Sequence, residues 1–520
     1  MQKKERMTAF FCGMAKVSVS DQAKAKTITF ALRFNFDMPF FYPHDLYSQL
    51  EFDKVLDDLR VRCQGVPARE QMASPVISTD ALEIRRKLDE IICFQEICQD
   101  NDRIYVSEYR DLQSGFHLLE IADSVLEIDD LLEIMRQLTM ISTWHNFFSK
   151  EKQIRWKTLY EALAVTEPLP KLRQEFYKIF DEEGQIKDTA SAELSKIRKT
   201  LHAKSSALDH AFNRTLIRYK DQGVLADNLE SYRNGRRVLA VLAEYKRRIK
   251  GIIHDESTTG KTVFIQPEET LALDSELFEL KSEERQEIRK ILKGLCQLLH
   301  QDLGILRANQ QAIVAFDIIQ AKAMQALALG IRSAPKCIDR PALDWQRAYH
   351  PLLLLKHKNN RDAVVPFNLT LDDQHRIVVI SGPNAGGKTI TLKTVGLLCL
   401  MHQAGLLTPI DDQSTIGIFA QIMTDIGDQQ SIEHDLSTYT SHLRNMKVFT
   451  EKAGSDTLFL IDEFGAGTEP TIGAAIAESI LYRMHQLKAR GVITTHYGNL
   501  KIMASKTAGI ENASMAFDKN

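Results

Sequence analysis

Positions 382 to 389 read Gly382-Pro383-Asn384-Ala385-Gly386-Gly387-Lys388-Thr389, with glycines, a lysine and a hydroxyl at the G-x-x-x-x-G-K-[ST] spacing. Glycines let the backbone turn its N–H groups inward around a polyanion, the lysine adds a compact cation, and the hydroxyl can ligate a hard divalent metal. The combination suits a nucleoside triphosphate: Lys388 would reach the β- and γ-phosphates and Thr389 would ligate Mg²⁺. Asp462-Glu463 follows the apolar run Thr457-Leu458-Phe459-Leu460-Ile461, so that Asp462 fits the Mg²⁺ shell and Glu463 the attacking water. His496 closes a third apolar run, Gly491-Val492-Ile493-Thr494-Thr495, where an imidazole can hydrogen-bond a γ-phosphate and report its presence. The expected cofactors are ATP and Mg²⁺, and the expected catalytic set is Lys388, Glu463 and His496.

These residues need elements to hold them. Ile377-Val378-Val379-Ile380 predicts a buried strand entering the loop. Beyond it, 389–404 has helical spacing, with Leu392, Val395, Leu398, Cys399 and His402 on roughly one side and Gly405 where a helix stops. Strand, glycine loop and helix N-terminus together aim N–H groups and the positive end of a helix dipole at phosphate oxygens.

Between the phosphate-site strands lie Ile426-Gly427-Asp428-Gln429-Gln430-Ser431-Ile432 and Asp435-Leu436-Ser437-Thr438-Tyr439; after the acidic pair comes Gly465-Ala466-Gly467-Thr468-Glu469-Pro470. Their order and spacing resemble the ATPase domain of the MutS family, a branch of the ABC-type ATPases. The wording of 382–398 and 460–470 is similar to the second, MutS-two branch, with the close match covering about 345–517. In that family ATP is held between two subunits. The resemblance therefore implies a homodimer in which Ser437 and Thr438 contact the γ-phosphate bound by the other copy, and the turn at 465–468 faces its twin. Taken alone, Asp435-Leu436-Ser437-Thr438 also has the chemistry of a helix cap. The family's adenine-stacking aromatic has one local candidate, Phe367 beside Pro366.

At 520 residues the chain is expected to form two to four domains. Its 26% charged and 44% hydrophobic residues are ordinary for a globular protein. The net charge of −3 excludes wholesale electrostatic attraction to nucleic acid, so any such contact must come from a local patch. Seven cysteines without C-x-x-C or histidine pairing fit reduced thiols of a cytoplasmic protein, Cys93 and Cys98 falling on one expected helix. No run approaches the ~20 apolar residues of a membrane span. The basic and then apolar start faintly mimics a signal peptide, but its apolar run is short and interrupted, so it is expected to be an extension, with Met38 an alternative first residue.

Upstream, the text is helical. Asp80 with Glu83 can cap a helix bearing Ile84, Leu88, Ile91, Ile92 and Cys98 on one stripe. Phe94-Gln95-Glu96 spells the F-x-E with which mismatch-repair MutS proteins wedge a mispaired base, but it lies mid-helix, so a mismatch-reading role is not expected. Proline is absent between Pro170 and Pro267 and between Pro267 and Pro335. Ser275 to Ile331, interrupted by Gly294 and Gly304, predicts one or two rods; ~40 continuous residues would reach ~60 Å. Within the first of these stretches, Arg233, Arg236, Arg237, Lys246, Arg247, Arg248 and Lys250 flank the strand-like Val238-Leu239-Ala240-Val241-Leu242. They are either a solvated face or the edge of a small β-element on a phosphate backbone; the resemblance places the family's nucleic-acid clamp here.

The expected fold class is α plus α/β: an N-terminal all-α core with long lever helices and a small clamp, then a P-loop ABC-type ATPase with a doubly wound, mostly parallel sheet. The expected domains are a 1–45 extension, a 46–185 helical core, 186–335 levers and clamp, and a 336–520 ATPase domain. The resemblance implies an ATP-driven nucleic-acid clamp acting on branched DNA to suppress recombination, or alternatively a ribosome- and rRNA-binding ATPase that splits stalled ribosomes. A structural ATPase of the SMC kind is disfavoured, because its coiled coils need sustained heptads. The family often adds a nuclease domain after a basic linker; the text stops short of it at Asn520, so the chain is expected to be C-terminally truncated and without nuclease activity.

Overall fold

The computed structural model describes residues 39–100, 104–357, 360–382, 387–427, 435–466 and 468–515, with the backbone alone at 435–439. Contacts divide the chain into two units. One comprises Met1–Lys54, Val76–Arg85 and Ser333–Asn520; the other comprises Val55–Pro75 and Arg86–Arg332.

The first unit is built on a six-stranded sheet in the order Phe40–Tyr42, Gln421–Asp425, Thr457–Ile461, Arg490–Thr494, Ile377–Ser381, Ile510–Ser514. Every neighbouring pair is parallel. A parallel sheet is covered on both faces, which is why its inner strands Ile377–Ser381 and Thr457–Ile461 are near-continuous apolar runs. On one face Ile377, Val379, Phe459, Ile461 and Ile493 pack with Met446 and Phe449 of the Asp435–Lys452 helix, Leu481 and Met484 of Pro470–Gln486, and Leu500 of Gly498–Lys506. Against the other lies the Lys388–Gln403 helix. Gly396 sits so close that a Cβ there would come within 2.7 Å of the Leu460 and Leu50 side chains. The Phe40–Tyr42 strand lies inside the stretch read from sequence as an extension; three residues are too few to show a period.

The Lys388–Gln403 helix stops as expected at Gly405, φ 67°. Gly405 N donates to His402 O and Leu406 N to Met401 O, both at 2.9 Å, the paired bonds of a Schellman cap. The expected single apolar stripe is a correction: Thr391, Leu392 and 394–403 are all buried, because the helix has the sheet on one side and further chain on the other. Gln403, for instance, donates to Ser78 O and Phe419 O and accepts from Ser78 N and Phe419 N.

This burial has a pH consequence. Neither ring nitrogen of His402 meets a hydrogen-bond partner among the described residues, and burial pushes its pKa down to about 3. Burial pushes His350 down to about 4. Unfolded, both titrate near ~6.5, so from about pH 6.5 to about pH 4 the unfolded chain binds more protons. Stability held above that window should be lost as pH falls through it. Urea midpoints at about pH 7.5 and about pH 5 will check this, and His402→Leu should flatten the difference.

The same unit holds a mixed four-stranded sheet of Lys336–Ile338, Thr415–Gly417, Leu343–Ala348 and Phe367–Leu371. Half-buried Phe367 opens the last of these strands.

The second unit is helical apart from one antiparallel sheet. Phe94 is fully buried in the Ala81–Gln99 helix and the exposed Glu96 accepts a bond from Trp156 Nε1 at 3.0 Å, so both ends of F-x-E are engaged within the fold here. At the start of that helix, in the first unit, Asp80 accepts from Leu82 N at 2.8 Å, and the Ser78 hydroxyl accepts from Asp80 N at 3.1 Å and donates to Glu83. Asp317, fully buried, accepts from Gln64 N and Gly65 N, and burial raises its pKa. The six described cysteines are free thiols.

Helices Ala192–Asp221 and Glu268–Gln301 run antiparallel, 30 and 34 residues and so ~45 and ~50 Å long. Polar pairs join them along their length: Ser191–Glu287, Arg198–Glu284, Lys204–Glu276 and Arg218–Glu269. The break before the next helix, Leu303–Ala328, falls at Asp302. Neither expected breaker glycine interrupts a helix; glycine costs a helix only ~1 kcal/mol, and both sit in open space. Between the long helices stands a four-stranded antiparallel sheet, Leu225–Arg233, Arg236–Leu242, Thr262–Pro267 and Gly251–Glu256 in that order. Among the described residues no helix is long and apolar enough to cross a membrane.

Candidate functional site

In the parallel sheet the carboxyl ends of Ile377–Ser381, Thr457–Ile461 and Arg490–Thr494 reach one edge, and the chemically marked residues hang from it. Gly382 (φ 141°) and Gly387 (φ 80°) adopt backbone conformations that side chains resist, and Gly387 starts the Lys388–Gln403 helix. Pro383, Asn384, Ala385 and Gly386 lie outside the described residues. The Lys388 ammonium donates to Gly382 O and lies 3.3 Å from His496 Nε2. Burial lowers the Lys388 pKa, and Asp462 and Glu463 oppose that shift.

Thr389 Oγ1 donates to Asp462 Oδ2 at 2.7 Å. Two hard oxygens in contact, one of them anionic, at a helix N-terminus are donors of the kind Mg²⁺ takes. Thr494 donates to the other Asp462 oxygen. Glu463 holds a left-handed backbone, φ 48°, uncommon for a residue with a side chain. Its N–H donates to Thr494 Oγ1 at 2.8 Å and to Asp462 Oδ1 at 3.2 Å, and the next N–H, of Phe464, donates to Thr494 O at 2.8 Å. The Glu463 backbone is thus fixed beside the Thr389 and Asp462 oxygens.

The turn beyond is pinned to the residue after His496: Tyr497 OH donates to Gly465 O at 3.2 Å. Gly465 has φ 93°, and a Cβ there would meet the Tyr497 ring at 2.8 Å, so the first glycine is obligatory. Gly467 and the side chains of Ser437 and Thr438 lie outside what is described; positions 437 and 438 fall in the first turn of Asp435–Lys452.

Three participants escape sequence reading. Thr494 is one; its signal is a threonine pair closing an apolar strand just before His496. Asp425 and His442 are the others. Asp425 ends Gln421–Asp425 as Asp462 follows Thr457–Ile461, and its carboxylate accepts from His442 Nδ1 at 2.6 Å and from Asn445 Nδ2 at 2.8 Å. The bond to Asp425 raises the His442 pKa.

The seven basic residues around the Arg236–Leu242 strand separate into two groups. Arg233 pairs with Asp255 and lies over Phe264; Arg237 binds Glu230, Asp209 and Asn213 and lies over Phe212; Arg236 donates to Gln266. These hold the antiparallel sheet together. Lys246, Arg247, Arg248 and Lys250 are exposed, with Lys246 near Glu256 at 3.6 Å and Arg248 over Tyr245.

Residues 378–520 match the family described as MutS domain V. Over 472 residues the chain is 35% identical to Endonuclease MutS2 of Pelotomaculum thermopropionicum, covering 91% of this chain and 59% of that protein. It is 33% identical over 470 residues to Endonuclease MutS2 of Lactobacillus acidophilus, covering 90% and 59%. To Endonuclease MutS2 of Clostridium acetobutylicum it is 37% identical over 389 residues, covering 75% and 48%. The chain thus spans less than two thirds of the length of these curated relatives.

Proposed function

The chain belongs to the MutS2 family, and from that premise we propose that it is a P-loop ATPase of the ABC type, with ATP and Mg²⁺ as cofactors, whose nucleotide state opens and closes a homodimeric clamp on branched DNA. The observation that carries the ATPase reading is the meeting, at one sheet edge, of Lys388 with His496 and of Thr389 with Asp462, beside Glu463. In this reading Lys388 neutralises the β- and γ-phosphates while Thr389 and Asp462 hold Mg²⁺, which would spread the charge developing on the γ-phosphoryl oxygens. Glu463 orients the attacking water and takes its proton, and His496 bonds the γ-phosphate. Ser437 and Thr438 of a second copy complete the phosphate's coordination. A ligand touching both copies binds the closed pair better than the open one, which is the condition for it to shift that equilibrium. The paired helices Ala192–Asp221 and Glu268–Gln301 serve as levers, since stiff rods transmit a rotation that loops would absorb.

The clamp's charge supports a nucleic-acid partner of local rather than global attraction. Replacing Arg247, Arg248 and Lys250 together with alanine should weaken DNA binding and flatten the dependence of log K on log salt by about 2 to 3, at roughly 0.9 per phosphate contact. Arg237→Ala should instead lower the melting temperature, because it removes internal bonds. An unchanged salt slope in the triple variant would remove these residues from the interface. The choice of partner is tested by ATP turnover with a four-way junction, a mismatched duplex or ribosomes added. Stimulation by the junction above the others is expected; stimulation by ribosomes alone would move the proposal to ribosome splitting.

A further inference from the structure

We infer that Asp425 and His442 are a positioning pair that locks the Asp435–Lys452 helix to the strand end carrying Asp462 and Glu463, an assignment that rests on the ATPase reading above. Asp425 lies directly beside Ile461 in the sheet register, and its carbonyl accepts from Asp462 N at 2.9 Å. Its side chain is 7% exposed and is held from the neighbouring helix by two donors, His442 Nδ1 at 2.6 Å and Asn445 Nδ2 at 2.8 Å. Asn445 in turn accepts from the Tyr42 hydroxyl at 2.8 Å, and the Tyr42 ring meets Phe449 edge-on, which fixes the helix from the sheet's outer strand as well. Since a carboxylate only accepts, the His442 proton sits on Nδ1.

Position matters because the two elements so joined hold the two halves of the proposed chemistry. Glu463 is two residues past Ile461, and Ser437 and Thr438 are in the first turn of the helix, about one turn before His442. Asp425, His442, Asp462 and Glu463 also line one small cavity of about 30 Å³, room for about one water. A slack helix would therefore disturb Ser437, Thr438 and the surroundings of Glu463 together.

The test compares His442→Ala, His442→Asn and Asp425→Ala, alone and with His442→Ala, in the full chain. Asparagine places an amide donor near where Nδ1 lies and should restore the bond to Asp425. His442→Ala should lower kcat by about tenfold or more with KM within about threefold, and His442→Asn should recover most of the loss. The double variant should be no slower than Asp425→Ala, as expected of residues acting through one bond. Amide hydrogen exchange across Asp435–Lys452 without nucleotide should quicken in His442→Ala and return toward normal in His442→Asn. Unchanged exchange, unchanged kcat, or an asparagine variant as slow as alanine would each overturn the pair. If the unaltered chain hydrolyses no ATP, the ATPase reading falls, while exchange still decides whether the lock exists.

Discussion

Glu463→Gln should lower ATP turnover by about 10²- to 10⁴-fold while leaving nucleotide affinity nearly intact. Glutamine keeps the size and one carbonyl oxygen of the side chain but cannot take a proton from water. The backbone that holds the side chain should not move, because its restraints, the bonds to Thr494 Oγ1 and Asp462 Oδ1, are donated by the Glu463 main-chain N–H, which the substitution leaves in place. With chemistry stalled and binding spared, the ATP-bound closed pair should accumulate. Stopped-flow binding of a fluorescent ATP analogue and single-turnover hydrolysis separate the two quantities. Equal loss of both would contradict the role given to Glu463.

Lys388→Ala should do the reverse and weaken ATP binding by about 10- to 100-fold, the worth of one charge-assisted hydrogen bond. Lys388 is 2% exposed, its ammonium donating to Gly382 O and facing His496 at 3.3 Å. Alanine leaves an uncharged gap at the helix start, where the remaining N–H groups and helix dipole still attract phosphate but no cation meets it. Calorimetric titration with ATP and Mg²⁺ reads this directly. Affinity within about threefold of the unaltered chain would mean that triphosphate does not reach Lys388.

Much of this was legible because the signals are local. The run before Gly382, the helix after it and Gly405 at its end are contiguous, and each obeys its own rule of burial, spacing or φ. The small β-element around Val238 and the long helices were legible in the same way, from an apolar run and from the absence of proline. Non-local features were not. Phe40–Tyr42 is too short to show a period, and it is a strand only because Gln421–Asp425 offers it an edge. Asp425 and His442 stand 17 residues apart on different elements, so nothing in their spacing announces a bond. The basic run could not show its internal pairing: Arg237 binds Glu230, Asp209 and Asn213, which lie elsewhere in the sequence. Glycine misled, since a single glycine costs a helix less than the packing of long helices returns, and the true stop is at Asp302.

The central claim is that ATP held at Lys388 is completed by Ser437 of a second copy. The most direct measurement is the solution mass of the Glu463→Gln chain by sedimentation, with and without ATP and Mg²⁺. The account predicts a shift from the 59.1 kDa chain to twice that mass on adding ATP, abolished by Ser437→Ala. A chain that hydrolyses ATP while remaining monomeric at every concentration would contradict it.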